Sequence, residues 1–403
     1  MARTLLSGAD LVLPDRVASG HTLVIDDGQF AHIVGGPRAA GAGEQRLDRP
    51  GMLVVPGFID VHVHGAAGVD VLDADRAVSR LASQLPRWGV TAFCPTTVAC
   101  APAPLREFLT EVRELRGGPP RRARVLPAHL ESNFVNPEYR GAQPLACLRR
   151  PPAAGAAAAH AGAAEFTARD ILEVIDHFRP DIGIITMAPE LDGGLSLVRA
   201  FAAAGIRVSL GHSGATFEEA QAAIAAGARQ ATHLFNRMRA MDHRDPGLTG
   251  AVLASEDVAA ELVCDGHHVH PAVMNVAIAA KGSSRVMAIT DGTAGSGLPP
   301  GTHARLGGAA ITVGDVARLD DGTIAGSVLT MDRAFVTLVT KCGIDLVCAA
   351  QLCATTPARE LGLVGHGVIA PGAAADFALL DSRLNVVETW IAGERVWPEP
   401  QAT

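Results

Sequence analysis

The stretch PGFIDVHVHG, residues 56–65, combines the pattern of a buried strand with two closely spaced histidines. An apolar run ends in His62 and His64, which are separated by one valine and followed by Gly65. Residues two apart in a strand point to the same face, so both imidazoles are predicted to reach the same side of the strand's end. Taken alone, the stretch fits either a metal site or two polar residues at a strand end.

Short apolar runs of this kind recur through the middle of the chain and alternate with helical patterns. The eight runs are FIDVHVHG, TAFCPTT, RVLPAHLES, IGIITMAPE, IRVSLGHSG, RQATHLFN, AAELVCDGHH and RVMAITDG. Among the helical segments is TFEEAQAAIAAG, residues 216–227, where Thr216 and Glu219 form a plausible capping box. The alternation indicates βα units with a parallel sheet, and eight strands close a barrel. We therefore predict an α/β fold, a (β/α)₈ TIM-like barrel.

The two ends of the chain have a different pattern, in which short β-type runs are punctuated by Gly, Asp and Pro. This predicts a small β-sandwich domain built from both termini, with residues 1–55 and 359–403 flanking a barrel over residues 56–358. The Ala-rich segment 151–166 is predicted to be a flexible loop or the start of a helix, with His160 incidental.

Composition bounds the class of protein and its partners. The 403 residues carry a net charge of −8, and the sequence pI is near 6.0, which gives no support to a nucleic-acid or acidic-membrane partner. No uninterrupted apolar stretch reaches about 18 residues. Seven cysteines without a CxxC pair favour buried thiols in a reducing compartment. We predict a cytoplasmic protein.

Potential metal ligands end or follow the predicted barrel strands. A barrel gathers the carboxyl ends of its strands on one face, where active sites form. One histidine at a strand end is more often a hydrogen-bonded core residue, but here the pattern repeats at five strands and predicts a metal site. The residues concerned are His62, His64, Thr96, His129, Glu131, Glu190, His212, His233, Asp265 and Asp291.

Imidazole and carboxylate ligands suit Zn²⁺, with Fe²⁺ or Mn²⁺ as alternatives. Glu131, His212 and His233 would supply a Glu-His-His set, which is typical of catalytic zinc. His62 and His64 would hold a second ion or support the first. One or two divalent ions per chain are therefore expected.

Asp291 closes the eighth run in AITDG. A carboxylate beside a metal can take a proton from water and later deliver it to a leaving amine. The alternative is that Asp291 only caps the following turn.

An ordered set of motifs along nearly the whole chain resembles the amidohydrolase superfamily and, within it, the N-acetylglucosamine-6-phosphate deacetylase family. The set comprises PGFIDVHVHG, HLE, GHSGATFEEA, THLFNRM, HRDPG, DGHHVHP, TDG, AGSVLTMDRA and TTPARELGL. The resemblance implies a metal-dependent barrel with a flanking β domain, usually dimeric, that removes acetate from a phosphorylated amino sugar.

The resemblance also implies roles for individual residues. Glu131, His212 and His233 would bind the metal, and Asp291 would be the acid and base. Asn236, Arg244 and His268 match the family's positions for substrate and phosphate contacts, with Arg244 reaching across a homodimer. We also predict that Arg237 and Gln143 bind substrate. The alternative for Arg244 is a surface salt bridge with Asp242 or Asp245.

Two departures from the family pattern concern the loop expected to wrap the sugar. Ser132 and Asn133 stand where the family has Gly-Pro, and Gln143 stands where the family has a sugar-contacting histidine. The sequence thus leaves open N-acetylglucosamine 6-phosphate, an N-acetylgalactosamine phosphate or an amino sugar of specialised metabolism. Other amidohydrolases, namely a cyclic-amide hydrolase or an N-acyl-amino-acid deacylase, and a non-catalytic barrel that binds a ligand are further alternatives.

Overall fold

The computed structural model describes residues 3–118, 121–152 and 166–398, and its centre is a parallel β-barrel. Each strand pairs with the next one in parallel. The last strand meets the first through a bridge between Val63 and Gly292, and the Asp291 amide donates to the His62 carbonyl at 2.9 Å. The strands are β1 (Phe58–Val63), β2 (Val90–Thr97), β3 (Ala128–Glu131), β4 (Ile182–Met187), β5 (Arg207–Leu210), β6 (Gln230–Ala231), β7 (Ala259–Val263) and β8 (Val286–Ile289).

All eight predicted runs coincide with these strands, so the predicted barrel is confirmed. A helix follows each strand before the next, in the order Ala77–Gln84, Pro102–Leu115, Ala168–His177, Gly194–Ala203, Phe217–Ala225, Gly247–Ala254, Pro271–Lys281 and Met331–Thr340. Three consecutive helical segments come after them: Leu346–Ala350, Gln351–Thr355 and Thr356–Glu360. Short 3₁₀ turns cover Leu85–Trp88, Pro137–Tyr139, Leu145–Cys147, Arg179–Asp181 and Ser283–Arg285.

The helix Phe217–Ala225 shows how local sequence sets an element's start. The Thr216 hydroxyl accepts from the Glu219 amide at 3.2 Å, and the Glu219 carboxylate accepts from the Thr216 amide at 2.8 Å. This reciprocal pair is the capping box that the sequence predicts. It fixes where the helix begins after β5, and so fixes the length of the loop that carries His212.

Two further sheets share one hydrophobic core; one is built from the N-terminal part alone and the other combines strands from both ends of the chain. That core includes Leu6, Phe30, Phe377 and Trp390, and the last two rings stack with centroids 5.4 Å apart. One sheet has the order Gln29–Gly35, His21–Asp26, Arg3–Ser7 and Glu44–Asp48. The other has the order Glu394–Trp397, Val386–Ile391, Phe377–Leu380, Leu53–Pro56, Asp10–Val12 and Val17–Ala18. The predicted β domain from both termini is confirmed, whereas the boundaries at residues 55 and 358 stay predictions.

A small antiparallel sheet between β8 and its helix was not predicted from the sequence. Its strands are His303–Leu306, Ala309–Val313 and Ala317–Arg318. Leu306, Ile311 and Ala317 pack with Val98, which directly follows β2. The packing places this sheet over the carboxyl end of the barrel. Other short strands are Arg124–Val125, which pairs with β2, and the pair Gly65–Ala66 and Val69–Asp70.

Two remaining expectations concern membranes and the Ala-rich segment. Among the residues that the structure describes, no helix is long and apolar enough to cross a membrane. Most of the Ala-rich segment, with His160, lies outside the described residues.

Candidate metal centre and active site

Glu131, His212 and His233 converge from three neighbouring parts of the barrel. Glu131 ends β3, and the two histidines lie two residues beyond β5 and β6. The Glu131 Oε1 atom lies 3.0 Å from His212 Nε2 and 2.9 Å from His233 Nε2, and the two nitrogens are 3.0 Å apart. All three side chains are buried. The structure thus brings the predicted Glu-His-His set together, and its role as a ligand set stays a prediction.

His62 and His64 form a second group on the other side of Glu131. Their Nε2 atoms are 3.2 Å apart, and Asp291 Oδ1 lies 3.4 Å and 3.2 Å from them. Glu131 Oε1 is 3.7 Å from His62 Nε2, and Glu131 Oε2 is 3.6 Å from His64 Nε2. The Glu131 carboxylate therefore lies between the two groups of histidines, with Asp291 at the edge.

The hydrogen bonds of the histidines fit a cation at this place. The Nδ1 atoms of His62, His64 and His212 lie 2.8, 2.9 and 2.8 Å from oxygen acceptors on Glu261, Thr96 and Tyr139. With Nδ1 as the donor, each Nε2 presents a lone pair to the centre. Lone pairs 3.2 Å apart repel unless a positive charge lies between them. The donor set of imidazoles and carboxylates therefore suits a divalent metal.

Buried negative charge adds to this preference. Burial alone would lower the pKa of His62. The neighbouring carboxylates of Glu261, Asp291 and Glu131 outweigh burial and raise this pKa to about 10. Burial would raise the pKa of Glu131, but His212 and His233 hold it well below its usual value. Burial would also raise the pKa of Asp291, but His62, His64 and His233 outweigh this effect and lower it. The cluster thus favours bound positive charge.

Several residues with an unusual backbone conformation lie at the same end of the barrel. Five residues that line one cavity have a positive φ, which is uncommon for residues other than Gly. They are His212 (46°), His233 (32°), Phe235 (77°), Arg237 (50°) and Asp291 (49°). Strain of this kind persists where the surrounding fold enforces it, commonly at functional sites. The clustering supports a functional role for this face.

Three other residues from the sequence-based set have structural partners. His129 lies deeper in the barrel, where its ring nitrogens contact the Val61 carbonyl and the Thr186 hydroxyl at 3.0 and 2.7 Å, and burial lowers its pKa to about 4. Glu190 accepts from the Ser213 hydroxyl and the Gly214 amide, both at 2.7 Å. The Thr96 hydroxyl accepts a hydrogen bond from the Val63 amide at 3.0 Å.

The cavity beside the metal group has a volume of about 450 Å³, which is in the range of small-molecule sites, roughly 300–1,000 Å³. Its lining also includes Asn236, Arg237 and His268. The Arg237 guanidinium is exposed and makes no hydrogen bond or ion pair with the described residues. The His268 Nδ1 atom lies 2.6 Å from the Asp265 carboxylate, which orients the ring. The lining of the pocket thus includes both a potential metal group and a free cation.

Arg244 lies outside the lining of this cavity, and its side chain is exposed. The Asp245 carboxylate accepts a hydrogen bond from Arg239 Nε at 2.9 Å. The Asp242 carboxylate accepts from the backbone amide of Arg244 at 3.0 Å, but not from its guanidinium. The salt-bridge alternative is therefore wrong in this structure. Among the described residues, the Arg244 guanidinium has no hydrogen-bond or ion-pair partner.

The residues that depart from the family pattern contact the protein itself. The Ser132 hydroxyl donates to the Thr186 carbonyl at 2.6 Å, and the Asn133 amide donates to the Cys100 carbonyl at 2.8 Å. Both side chains are buried and neither lines the cavity, whereas the prediction that their loop wraps the sugar stays a prediction. Their local hydrogen bonds shape the loop after β3.

Gln143 reaches the cavity wall, but both of its polar atoms are already engaged. Its Nε2 donates to Glu131 Oε2, and its Oε1 accepts from the Ala99 amide at 2.7 Å. The side chain is buried. The structure therefore places Gln143 as a partner of the predicted metal-binding carboxylate, and a contact with the sugar stays a prediction.

Glu261 is a residue of this site that sequence reasoning missed. It lies in the middle of β7, is fully buried, and contacts His62 Nδ1 at 2.8 Å. The signal was present in AAELV, because a lone carboxylate inside an apolar parallel strand must have a partner in the core. That partner, His62, lies 199 positions away in the sequence, so the local pattern could not identify it.

The chain is similar to known proteins over most of its length. The amidohydrolase family model matches residues 53–396. A protein of Escherichia coli O157:H7 named N-acetylgalactosamine-6-phosphate deacetylase is 34% identical over 378 residues, 93% of this chain and 94% of the relative. The N-acetylglucosamine-6-phosphate deacetylase of Homo sapiens is 34% identical over 368 residues, 88% of this chain and 86% of the relative.

Solved structures agree with these relatives. A mutant N-acetyl-D-glucosamine-6-phosphate deacetylase of Mycobacterium smegmatis, in complex with N-acetyl-D-glucosamine-6-phosphate, matches with a TM-score of 0.87 and 31% identity, over 98% of this chain and 100% of that one. The enzyme of Thermotoga maritima matches with a TM-score of 0.82 and 30% identity, over 98% and 99%.

A closed parallel barrel with histidines and carboxylates at its carboxyl end, flanked by a β domain, defines a metal-dependent hydrolase of the amidohydrolase class. Within that class, the chain belongs to the N-acetylglucosamine-6-phosphate deacetylase family.

Proposed function

We propose that this protein hydrolyses the N-acetyl group of a phosphorylated amino sugar, N-acetylglucosamine 6-phosphate, to acetate and glucosamine 6-phosphate. The observation that carries the proposal is the composition of one cavity. Glu131 and the histidines lie at one side, and the unpaired guanidinium of Arg237 lies on the wall. A hydrolytic group and a cation in one pocket match a substrate that carries both an amide and a phosphate.

Glu131, His212 and His233 would hold one divalent ion, and His62 and His64 would hold a second, with Glu131 between them. Zn²⁺ suits these ligands best, with Fe²⁺ or Mn²⁺ as alternatives. When bound, the metal supplies Lewis-acid polarisation of the amide carbonyl and activation of water.

Asp291 is assigned as the general base and acid. Its carboxylate lies 3.2 Å from His64 Nε2 and lines the cavity, so it can reach a water molecule and the substrate amide together. It would take a proton from the water whose oxygen bonds to the carbonyl carbon. It would then give that proton to the nitrogen as the carbon–nitrogen bond breaks, which releases acetate and the free amine.

Arg237, Asn236 and His268 are assigned to the sugar phosphate. A guanidinium can bind a phosphate through two parallel hydrogen bonds. Asp265 holds His268 through Nδ1, which leaves Nε2 to face a ligand. The exposed and unpaired Arg244 is assigned to the pocket of a second subunit in a homodimer. A cytoplasmic location stays a prediction.

The second candidate substrate is N-acetylgalactosamine 6-phosphate. It is favoured by the Escherichia coli O157:H7 relative of that name and by Gln143, which stands where the family has a histidine. The two sugars differ in the orientation of one hydroxyl group, so the metal, the acid–base group and the phosphate residues would serve both.

The test is acetate release from a matched panel of N-acetylglucosamine 6-phosphate, N-acetylgalactosamine 6-phosphate, the two unphosphorylated sugars and an N-acetylated amino acid. We expect the highest kcat/KM with N-acetylglucosamine 6-phosphate and a large loss for both free sugars. A preference for the galactose epimer would replace the first candidate by the second. Equal activity on free and phosphorylated sugars would overturn the phosphate assignment.

A further inference from the structure

Glu261 is surrounded by hydrogen-bond donors at the floor of the metal centre. Its Oε2 atom lies 2.8 Å from His62 Nδ1 and 3.2 Å from the His233 amide nitrogen, and its Oε1 atom accepts from Gln230 Nε2 at 2.6 Å. The residue has no exposed surface. One carboxylate thus joins a side chain of one histidine to the backbone of another.

The donors around Glu261 are fixed by other contacts. The His233 amide can only donate. The Gln230 amide is oriented because its Oε1 accepts from Arg207 Nε at 2.7 Å, so its nitrogen must point at Glu261. Because these donors occupy both oxygens, Glu261 acts as an acceptor, and the shared proton of the third contact resides on His62 Nδ1.

We propose that Glu261 is the positioning residue of the metal centre, which fixes the His62 ring so that its Nε2 lone pair faces His64 and Asp291. The inference rests on the proposed metal site and extends it to a residue on β7. A carboxylate that accepts from the far nitrogen of a metal-binding histidine fixes the tautomer and increases the basicity of the ligand.

The other histidines of the centre do not share this arrangement. His64 and His212 are oriented by the backbone carbonyls of Thr96 and Tyr139. His233 Nδ1 has no hydrogen-bond partner among the described residues. Replacement of Glu261 should therefore act on metal binding through His62, and through the backbone turn at His233 to a smaller extent.

The test uses Glu261→Gln, which keeps the size of the side chain but removes its negative charge. It also replaces one acceptor oxygen by an amide donor, which must face a donor on either side, namely Gln230 Nε2 or His62 Nδ1. Metal per chain and metal affinity are measured on the full-length protein by elemental analysis and by competition with a chelator, without substrate. We expect affinity for at least one ion to fall roughly 10- to 100-fold. Asp376→Asn is the matched control, because Asp376 is also a buried carboxylate but binds Arg124 and His366, which are not part of the metal centre. It should lower the melting temperature and leave metal affinity unchanged.

A double-mutant cycle separates positioning from a general loss of stability. In a His62→Asn background, Glu261→Gln should cause little further loss of metal affinity, because the ring that it positions is gone. An equal loss in both backgrounds, or unchanged metal affinity in the single variant, would overturn the proposal. Because none of these measurements uses a substrate, they are independent of whether the protein deacetylates a sugar phosphate.

Discussion

Glu131 and His212 are 81 positions apart in the chain, yet the carboxylate Oε1 of one lies 3.0 Å from the Nε2 of the other. The contact joins the ends of β3 and β5, and His212 reaches it with a φ of 46°. The arrangement has a strained backbone, and it places a histidine lone pair against a carboxylate. A cation between the two groups would stabilise it.

Replacement of His212 by Ala should remove metal and activity together, because it deletes one ligand from the Glu-His-His set. Elemental analysis of the purified variant, with circular dichroism to check the fold, makes the comparison. Glu190→Gln, near the same loop but bonded to Ser213 and Gly214, is the control and should keep its metal. Full metal occupancy in His212→Ala would show that the ligand assignment is wrong.

Asp291→Asn should separate catalysis from metal binding. The change keeps the size of the side chain but removes the base, so we expect most of the metal to remain while kcat falls by a factor on the order of 10² or more. Steady-state kinetics and metal content are measured on the same preparation. A variant that retains most of its kcat would assign Asp291 to a structural role.

Arg237→Ala tests the phosphate contact within one subunit. A charge-assisted hydrogen bond contributes ~1.5–3 kcal/mol, so kcat/KM for the phosphorylated sugar should fall roughly 10- to 100-fold. The unphosphorylated sugar should be hydrolysed at nearly the same rate by the variant and the parent. If both substrates lose activity equally, Arg237 acts on the shape of the pocket and does not bind phosphate.

The fold was more accessible from the sequence than the detail of the site. Each buried parallel strand is an apolar run bounded by turn residues, so all eight barrel strands could be located. The sheet over 303–318 was missed even though Gly307 and Gly308 mark the turn of a hairpin between two β-type runs. Its exposure and short strands make its pattern weaker than that of the barrel.

Side-chain partners could not be read from the sequence in the same way. Period-2 alternation predicts that His62 and His64 share a face, and they do. Nothing local indicates that Gln143 bonds Glu131, or that Glu261 bonds His62, because those contacts join loops and strands that only the closed barrel brings together. The ends of strands were therefore predictable, whereas their hydrogen bonds were not.

Arg244 provides a test of the proposed homodimer. If its guanidinium binds substrate in the neighbouring subunit, Arg244→Ala and Asp291→Asn are each defective, but a mixed dimer contains one intact site. Mixing the two variants under conditions that exchange subunits should restore about a quarter of the parent activity at random pairing. If mixing restores nothing while hybrids form, Arg244 does not act across a dimer.

The most direct test of the account is acetate release from N-acetylglucosamine 6-phosphate as a function of bound metal. The protein is stripped with a chelator and then titrated with Zn²⁺, while elemental analysis gives the metal per chain at each point. We predict that release is lost in the stripped protein and returns in proportion to metal bound at the Glu131 centre. Undiminished release from metal-free protein, or no release at any metal content, would contradict the account.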